Sequence, residues 1–200
     1  FFISIPMAFV GIIFEYLYVK DWWNPITIFG TAVGIEDVLF SFALGGISAV
    51  IYEEVFKEKI RIRRVPEKKV EREKINFYFL CLGSILAFYA MFFIFGINTF
   101  ISSIILLAII ILIIWFYRPD LIIDSIFSGV ILIGVIIIVY FLINLITPGW
   151  IQEFWYFKNT PEIYFGGLPI DDLIFYLLFG LAVGPLYEYW KEGKLINIKG

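Results

Sequence analysis

The chain alternates between long apolar runs and short stretches that are polar, aromatic or basic. At about 20 residues per crossing, the runs near 2–19, 35–56, 76–96, 99–117, 121–147 and 170–190 each predict a membrane-spanning helix. The second and sixth carry acids in their first turn, which lowers their hydropathy without abolishing it. The longest, 121–147, is expected to tilt or to begin as an interfacial turn. Asn98 and Arg118-Pro119-Asp120 mark short turns between the middle helices. The pattern predicts an all-α membrane protein of about six transmembrane helices, seven if a helix is missing before Phe1. A chain that opens on phenylalanine rather than methionine suggests that an N-terminal segment is missing.

Composition narrows the chemistry. Hydrophobic residues make up 62% of the 200 and charged residues 16%, an apolar share that a bilayer can cover and a soluble domain of this size cannot. Histidine is absent, which excludes Ser-His-Asp catalysis and His-ligated metals. The one cysteine, Cys81, can form neither an internal disulfide nor a Cys-rich metal site and reads as a small apolar filler. No G-x-G-x-x-G or Walker A run occurs, so no nucleotide cofactor is expected, and no metal. Carboxylates, hydroxyls, aromatic rings and backbone remain.

Charge placement gives an orientation. Nine of the fifteen Lys and Arg residues lie in 57–75: Lys57, Lys59, Arg61, Arg63, Arg64, Lys68, Lys69, Arg72 and Lys74. The positive-inside rule makes this a cytoplasmic loop. Counting helices forward puts Arg118 and the Lys191/Lys194/Lys199 tail on the same side. Glu58, Glu67, Glu71 and Glu73 are interleaved with the bases, which favours a plain topogenic loop over a nucleic-acid or anionic-lipid patch. The opposite loops, 20–34 and 148–169, hold only Lys20 and Lys158 but carry Trp22, Trp23, Trp150, Trp155, Tyr156 and Phe157. They read as an interfacial aromatic belt.

An internal repeat organises the chain. Residues 34–53 (GIEDVLFSFALGGISAVIYE) and 169–188 (PIDDLIFYLLFGLAVGPLYE) agree at six of twenty positions without a gap. These are Ile35/Ile170, Asp37/Asp172, Phe40/Phe175, Gly45/Gly180, Tyr52/Tyr187 and Glu53/Glu188, with Glu36/Asp171 a conservative pair. Chance matching of apolar helices aligns Leu and Ile, not acids, glycines and a Tyr-Glu pair. The copies sit an even number of helices apart and so cross in the same direction, as parallel repeats. The domain reading is a first repeat over 1–56, a basic cytoplasmic loop over 57–75, a linking transmembrane helix over 76–96 and a second repeat over 97–200.

The acids carry the candidate chemistry. Glu36, Asp37, Asp171 and Asp172 sit in the first turns of two matched helices, where capping and dipole stabilisation alone could explain one pair. Two pairs brought to one depth by symmetry point instead to a shared cavity and a catalytic role. Adjacent residues on a helix diverge by about 100°, so one acid of each pair faces the cavity while its neighbour orients it. Such acids can give and take protons. Glu15 lies at about the same depth and is a fifth candidate, with a snorkelling interfacial role as its alternative. Glu53 and Glu188 belong to the cytoplasmic end and read as structural, with Tyr52 and Tyr187 as anchors beside them. Gly45 and Gly180 are expected at close helix contacts.

The run Gly166-Gly167-Leu168-Pro169-Ile170-Asp171-Asp172-Leu173-Ile174-Phe175, after an aromatic loop and before a helix ending in Tyr-Glu, resembles the lycopene cyclase domain of the heterodimeric, flavin-independent carotenoid cyclases. The resemblance covers nearly the whole chain. It implies two such domains fused through a linking helix, in a three-one-three arrangement whose first helix would precede Phe1. It also implies redox-neutral cyclisation of the linear ends of lycopene to ionone rings. One acid would protonate the terminal double bond, and a second would remove a proton after closure. Trp22, Trp23, Phe40, Trp155 and Phe175 would shield the cation, and with Glu15 and Pro169 would line the substrate site. Two departures stand out. Gly34 replaces the proline of the pattern in the first copy, and Asp replaces Glu at three of the four acid positions. The implied partners are a hydrophobic polyene or isoprenoid, the bilayer and a second copy of the chain, with no nucleic acid. Two other readings stay open: a hydratase or cyclase acting on another polyene, and a proton-coupled transporter. For the transporter, Gly45-Gly46 and Gly184-Pro185 are the nearest candidates for a broken helix.

Overall fold

The most apolar run folds as its sequence predicts. Helix α5 spans Thr99–Tyr117 and starts where the Asn98 carbonyl side chain accepts the Ile101 N–H at 2.8 Å. Arg118 leaves helical geometry, Pro119–Leu121 form one 3₁₀ turn, and α6 runs from Ile122 to Ile146. The remaining long helices are α1 (Ser4–Asp21) and α4 (Glu67–Phe93). This computed structural model describes residues 1–62, 67–156 and 161–197, with side chains described for 1–58, 77–156 and 161–193.

Two runs expected as single helices are divided. Residues 35–56 give α2 (Ile35–Ser48) and α3 (Ile51–Phe56); residues 170–190 give α8 (Ile170–Val183) and α9 (Leu186–Lys191). In the second the reason is Pro185, which lacks the N–H that would continue the ladder. In the first the break falls at Ala49-Val50, not at Gly45-Gly46, and no residue there accounts for it. Both short helices end on a non-glycine residue in the left-handed region, Lys57 (φ 56°) and Glu192 (φ 53°). Each then enters a strand, β1 (Glu58–Ile62) or, late in the chain, β4 (Gly193–Asn197), and the two strands pair antiparallel.

Within the expected 57–75 loop, Glu58–Ile62 form this strand and the residues from Glu67 onward form the first turns of α4. Arg63, Arg64, Phe157, Lys158 and Lys199 lie outside the described residues, as do the side chains of the loop's other bases beyond Lys57. At the same end Arg118, 5% exposed, closes the turn onto the chain's last elements. Its guanidinium donates to the Glu188 and Gly193 carbonyls at 3.1 and 2.6 Å and pairs with Asp120 at 2.9 Å.

Helices pack where side chains are small. A Cβ on Gly11 of α1 would lie 2.0 Å from Ser41 Oγ of α2, and one on Gly45 would lie 2.5 Å from Met7. On the other side α6 meets α8 backbone to backbone: a Cβ on Gly180 would sit 2.6 Å from Gly129 Cα and 2.9 Å from the Ser128 carbonyl oxygen. Without a hydrophobic force between helices in lipid, such close approach is what holds them together. Gly180→Ala is therefore expected to cost about 1–3 kcal/mol by overpacking, despite alanine's better helix propensity. Gly134→Ala, with nothing within 4 Å of its new methyl, is expected to be tolerated. Unfolding midpoints of the two variants in detergent check this.

Three described helical segments are long and apolar enough to cross a membrane: Thr99–Tyr117, Pro119–Ile146 and Ile170–Lys191. Helix α1 carries Glu15, Lys20 and Asp21 within its 18 residues, and α2 is only 14 residues long. Large apolar side chains such as Leu112, Phe116, Ile138, Phe141 and Leu145 are exposed, a surface suited to lipid.

Candidate active site

The site is built where two helix pairs come together. Close contact at Gly11–Ser41 fixes the antiparallel register of α1 and α2. One turn further on, Glu15 of α1 and Asp37 of α2 line a common cavity. The same arrangement recurs between α6 and α8. Gly129 and Gly180 fix the register, and further along the pair the Tyr140 hydroxyl donates to Asp172 Oδ2. Tyr140 thus stands to Asp172 as Glu15 stands to Asp37.

The cavity between these pairs is about 400 Å³. Along α1 its wall runs from Met7 to Trp22, roughly 22 Å at 1.5 Å per residue. Its acids, Glu15, Glu36, Asp37 and Asp172, gather toward the end where α1 finishes and α2 and α8 begin. The other end is apolar, with Met7, Leu44 and Phe179.

Two aromatic loops close the acidic end. The Asn24 N–H donates to the Phe154 carbonyl and the Tyr156 N–H to the Trp22 carbonyl, each at 2.9 Å. Residues 22–24 and the segment after the short helix α7 (Trp150–Phe154) are thereby stitched together. The rings of Trp23 and Trp155 meet with centroids 5.4 Å apart, and those of Trp150 and Trp155 5.2 Å apart. The expected interfacial belt is corrected for Trp22 and Trp155, which are 5% and 8% exposed. The Trp22 indole N–H donates to Asp171 Oδ2 at 2.9 Å and the Trp155 indole N–H to Asp172 Oδ1 at 3.1 Å. Buried indoles need acceptors, and here the acids supply them.

The two acid pairs are handled differently, and the Gly34/Pro169 difference explains why. The Gly34 N–H donates to Asp37 Oδ2 at 2.7 Å, so Asp37 serves as a capping acid while lining the cavity. Pro169 has no N–H to offer. Asp171 takes the orienting role instead, accepting the Asp172 N–H at 3.0 Å. Both Asp172 oxygens are left for Tyr140 and Trp155. Just before it, Gly166 and Gly167 (φ 60° and 85°) form the two-residue turn between β2 (Tyr164–Phe165) and β3 (Leu168–Pro169). This hairpin delivers Asp171 and Asp172 to the site.

Of the residues singled out from sequence, Glu15, Trp22, Trp23, Glu36, Asp37, Phe40, Trp155, Asp172 and Phe175 line the cavity. Asp171 is buried behind it, and Pro169 stands at the N-cap of α8 rather than in the cavity wall. Glu36 Oε1 accepts the Ile28 N–H at 2.9 Å, while Glu36 Oε2 and Glu15 Oε1 are buried without a partner. An orphan carboxylate oxygen is costly in apolar surroundings, which marks these two groups as the ones free to meet a bound molecule.

The profile of the Lycopene cyclase family matches residues 1–55 and 98–190. The chain belongs to the lycopene cyclase family. Membership places it with enzymes of the carotenoid cyclase type, and the two matched stretches contain every residue of the acid cavity named above. No curated protein and no solved structure matches the chain.

Sequence reasoning missed Tyr140, Tyr176, Tyr18 and Trp150 in this lycopene cyclase family site. Tyr140 and Tyr176 are 6% and 7% exposed, their ring centroids 6.2 Å apart and their planes at 89°. Tyr18 shares a 3.0 Å hydrogen bond with Ser103 of α5. One signal could have found Tyr140: it is the lone tyrosine in α6, and a buried phenol needs a partner.

Proposed function

We propose that the chain is a lycopene cyclase that forms ionone rings by redox-neutral acid/base chemistry inside the membrane. The observation that carries this reading is the shape and polarity of the cavity. Carboxylates meet at one closed, aromatic end, and the rest is an apolar channel suited to a linear polyene.

The roles follow from the hydrogen-bond inventory. Asp172 accepts from Trp155 and Tyr140 on separate oxygens, a pattern that suits an acceptor-only carboxylate. Glu15 has an oxygen to which nothing donates, and lines the same cavity. Glu15 protonates the terminal double bond, and the nearest double bond closes onto the resulting cation. Asp172 then removes a proton to leave the ring alkene. One proton enters and one leaves, so no electrons are exchanged and no redox cofactor is consumed. The proton returns from Asp172 to Glu15 before the next turnover. Trp22, Trp23, Phe40, Trp155 and Phe175 present ring faces and edges around the cation, and Asp171 positions Asp172 and the Trp22 indole.

In this reading the chain has six membrane helices in two parallel repeats, with β1, the start of α4 and the C-terminus on the cytoplasmic side. It is supported by the like division of α2/α3 and α8/α9 and by the like register of the two helix pairs. The substrate arrives from the bilayer.

Tyr140→Phe removes one of the two donors to Asp172 and is expected to lower turnover about tenfold, near the lower end for one hydrogen bond to a charged group, with substrate affinity unchanged. Initial rates against lycopene content in liposomes separate the two effects.

Expression of the full chain in a lycopene-accumulating bacterium, with chromatography of the extracted pigments, tests the function. The expected result is γ- or β-carotene. Lycopene left unchanged, with the protein shown to be in the membrane, overturns the reading.

A further inference from the structure

A second cavity, about 120 Å³, lies on the far side of α1 and α8 from the acids, walled also by α4 and α5. The two cavities share the same partition: Met7, Val10, Phe14 and Tyr18 of α1 with Phe175 and Phe179 of α8 line both. Only side chains separate them there. In this partition the Tyr18 and Phe175 centroids are 6.4 Å apart and those of Phe175 and Phe179 5.8 Å apart, ordinary distances for packed rings. The tryptophan lid closes the acidic end, so a long molecule with its terminus at the acids must leave in another direction.

Helix α4 keeps the second space open. Four of its residues reach the cavity, Leu80, Cys81, Ser84 and Ile85. Cys81 and Ser84 are small where a leucine or phenylalanine would fill the volume. The Ser103 hydroxyl on the opposite wall is already satisfied by Tyr18 and by the Thr99 carbonyl at 2.8 Å, so it asks nothing of a ligand. The mostly apolar lining suits a hydrocarbon chain without polar groups. Helix α4 also lies outside both stretches that match the family.

We propose that this second cavity is the subsite for the acyclic part of the polyene, reached from the acid cavity through the Phe14–Tyr18–Phe175–Phe179 partition, with α4 as its outer wall. The proposal rests on the cyclase reading for which end of the molecule sits at the acids, but it is a statement about binding and can be tested apart from turnover.

Cys81 is the only cysteine in the chain, half-buried in the wall of the subsite, and serves as the reporter. The full chain is reconstituted in liposomes with or without lycopene, and its labelling by an apolar, membrane-permeant maleimide is followed by mass spectrometry. With lycopene at about ten times its dissociation constant, labelling of Cys81 is expected to slow roughly tenfold. The same protection is expected in Asp172→Asn, where the bound polyene is not consumed. A Cys81→Ser chain carrying Leu82→Cys, on the exposed face of α4, controls for lycopene in the lipid and is expected to label at one rate throughout. Equal labelling of Cys81 with and without lycopene, in protein that cyclises it, overturns the subsite and leaves the cyclase reading intact. Protection of Cys81 without any cyclisation supports the subsite and overturns the cyclase reading. Neither protection nor turnover overturns both.

Discussion

Asp172→Asn is expected to reduce ring formation by about 10²–10⁴, the usual contribution of a positioned acid or base, while the protein reaches the membrane in normal amount. Asparagine is nearly isosteric and keeps a carbonyl oxygen for one of the two donors, Tyr140 or Trp155. The side-chain packing of the α6–α8 pair is untouched, because the close contact there is made by Gly129 and Gly180. What is lost is an oxygen that can take a proton from the ring cation. Asp171→Asn should behave differently. It retains an oxygen for the Trp22 indole or the Asp172 N–H and is expected to lose only a fraction of the activity. Pigment yield normalised to membrane protein gives both numbers. Equal, severe losses in the two variants would mean that the pair acts as one unit, and equal, full activity would remove Asp172 from the chemistry.

Glu15→Gln is expected to be as damaging, again by about 10²–10⁴, for the opposite reason. Glu15 sits in the middle of α1, too far from either end to cap a helix, yet it is 7% exposed and one of its oxygens has no partner. An ionisable group kept in apolar surroundings with an oxygen left unpartnered marks a functional position. Glutamine fills the same space and can still hydrogen-bond, but it has no proton to give a double bond. Glu15→Asp keeps the proton and withdraws it by one methylene, so partial activity is expected to return. A structural role would give another order, in which Gln is tolerated and Asp is not. Rates of the three proteins at saturating lycopene distinguish the two cases.

Much of the architecture was legible because it rests on hydropathy and on local capping. Helix 99–117 could be read to the residue, since an unbroken aliphatic run lies between Asn98, a good cap, and the Arg118-Pro119 stop. The acid pairs were legible because acids next to apolar runs are costly and must have a reason. The division of 35–56 was not, since Ala49-Val50 has no sequence mark of a break. The β1–β4 pairing was hidden because a Lys/Arg-rich stretch between spans reads as a loop, and its partner lies at the far end of the chain. Trp22 and Trp155 look like belt residues by position; only the tertiary fold turns their N–H groups toward Asp171 and Asp172. Tyr140 sits among isoleucines, valines and leucines, and its one local signal, a lone phenol in an apolar helix, does not name its partner. Its role depends on which residue of α8 lies opposite, and that is set by the glycine contact of the two helices.

In the proposed reaction this chain isomerises lycopene with its own acids. The purified full chain in liposomes, given lycopene and no added nucleotide or metal, tests it most directly, with products separated by chromatography and weighed by mass spectrometry. Cyclic carotenoids of the same mass as lycopene are expected, formed by the native chain and lost in Asp172→Asn and Glu15→Gln. Unchanged lycopene, or a product heavier by one water, would contradict it.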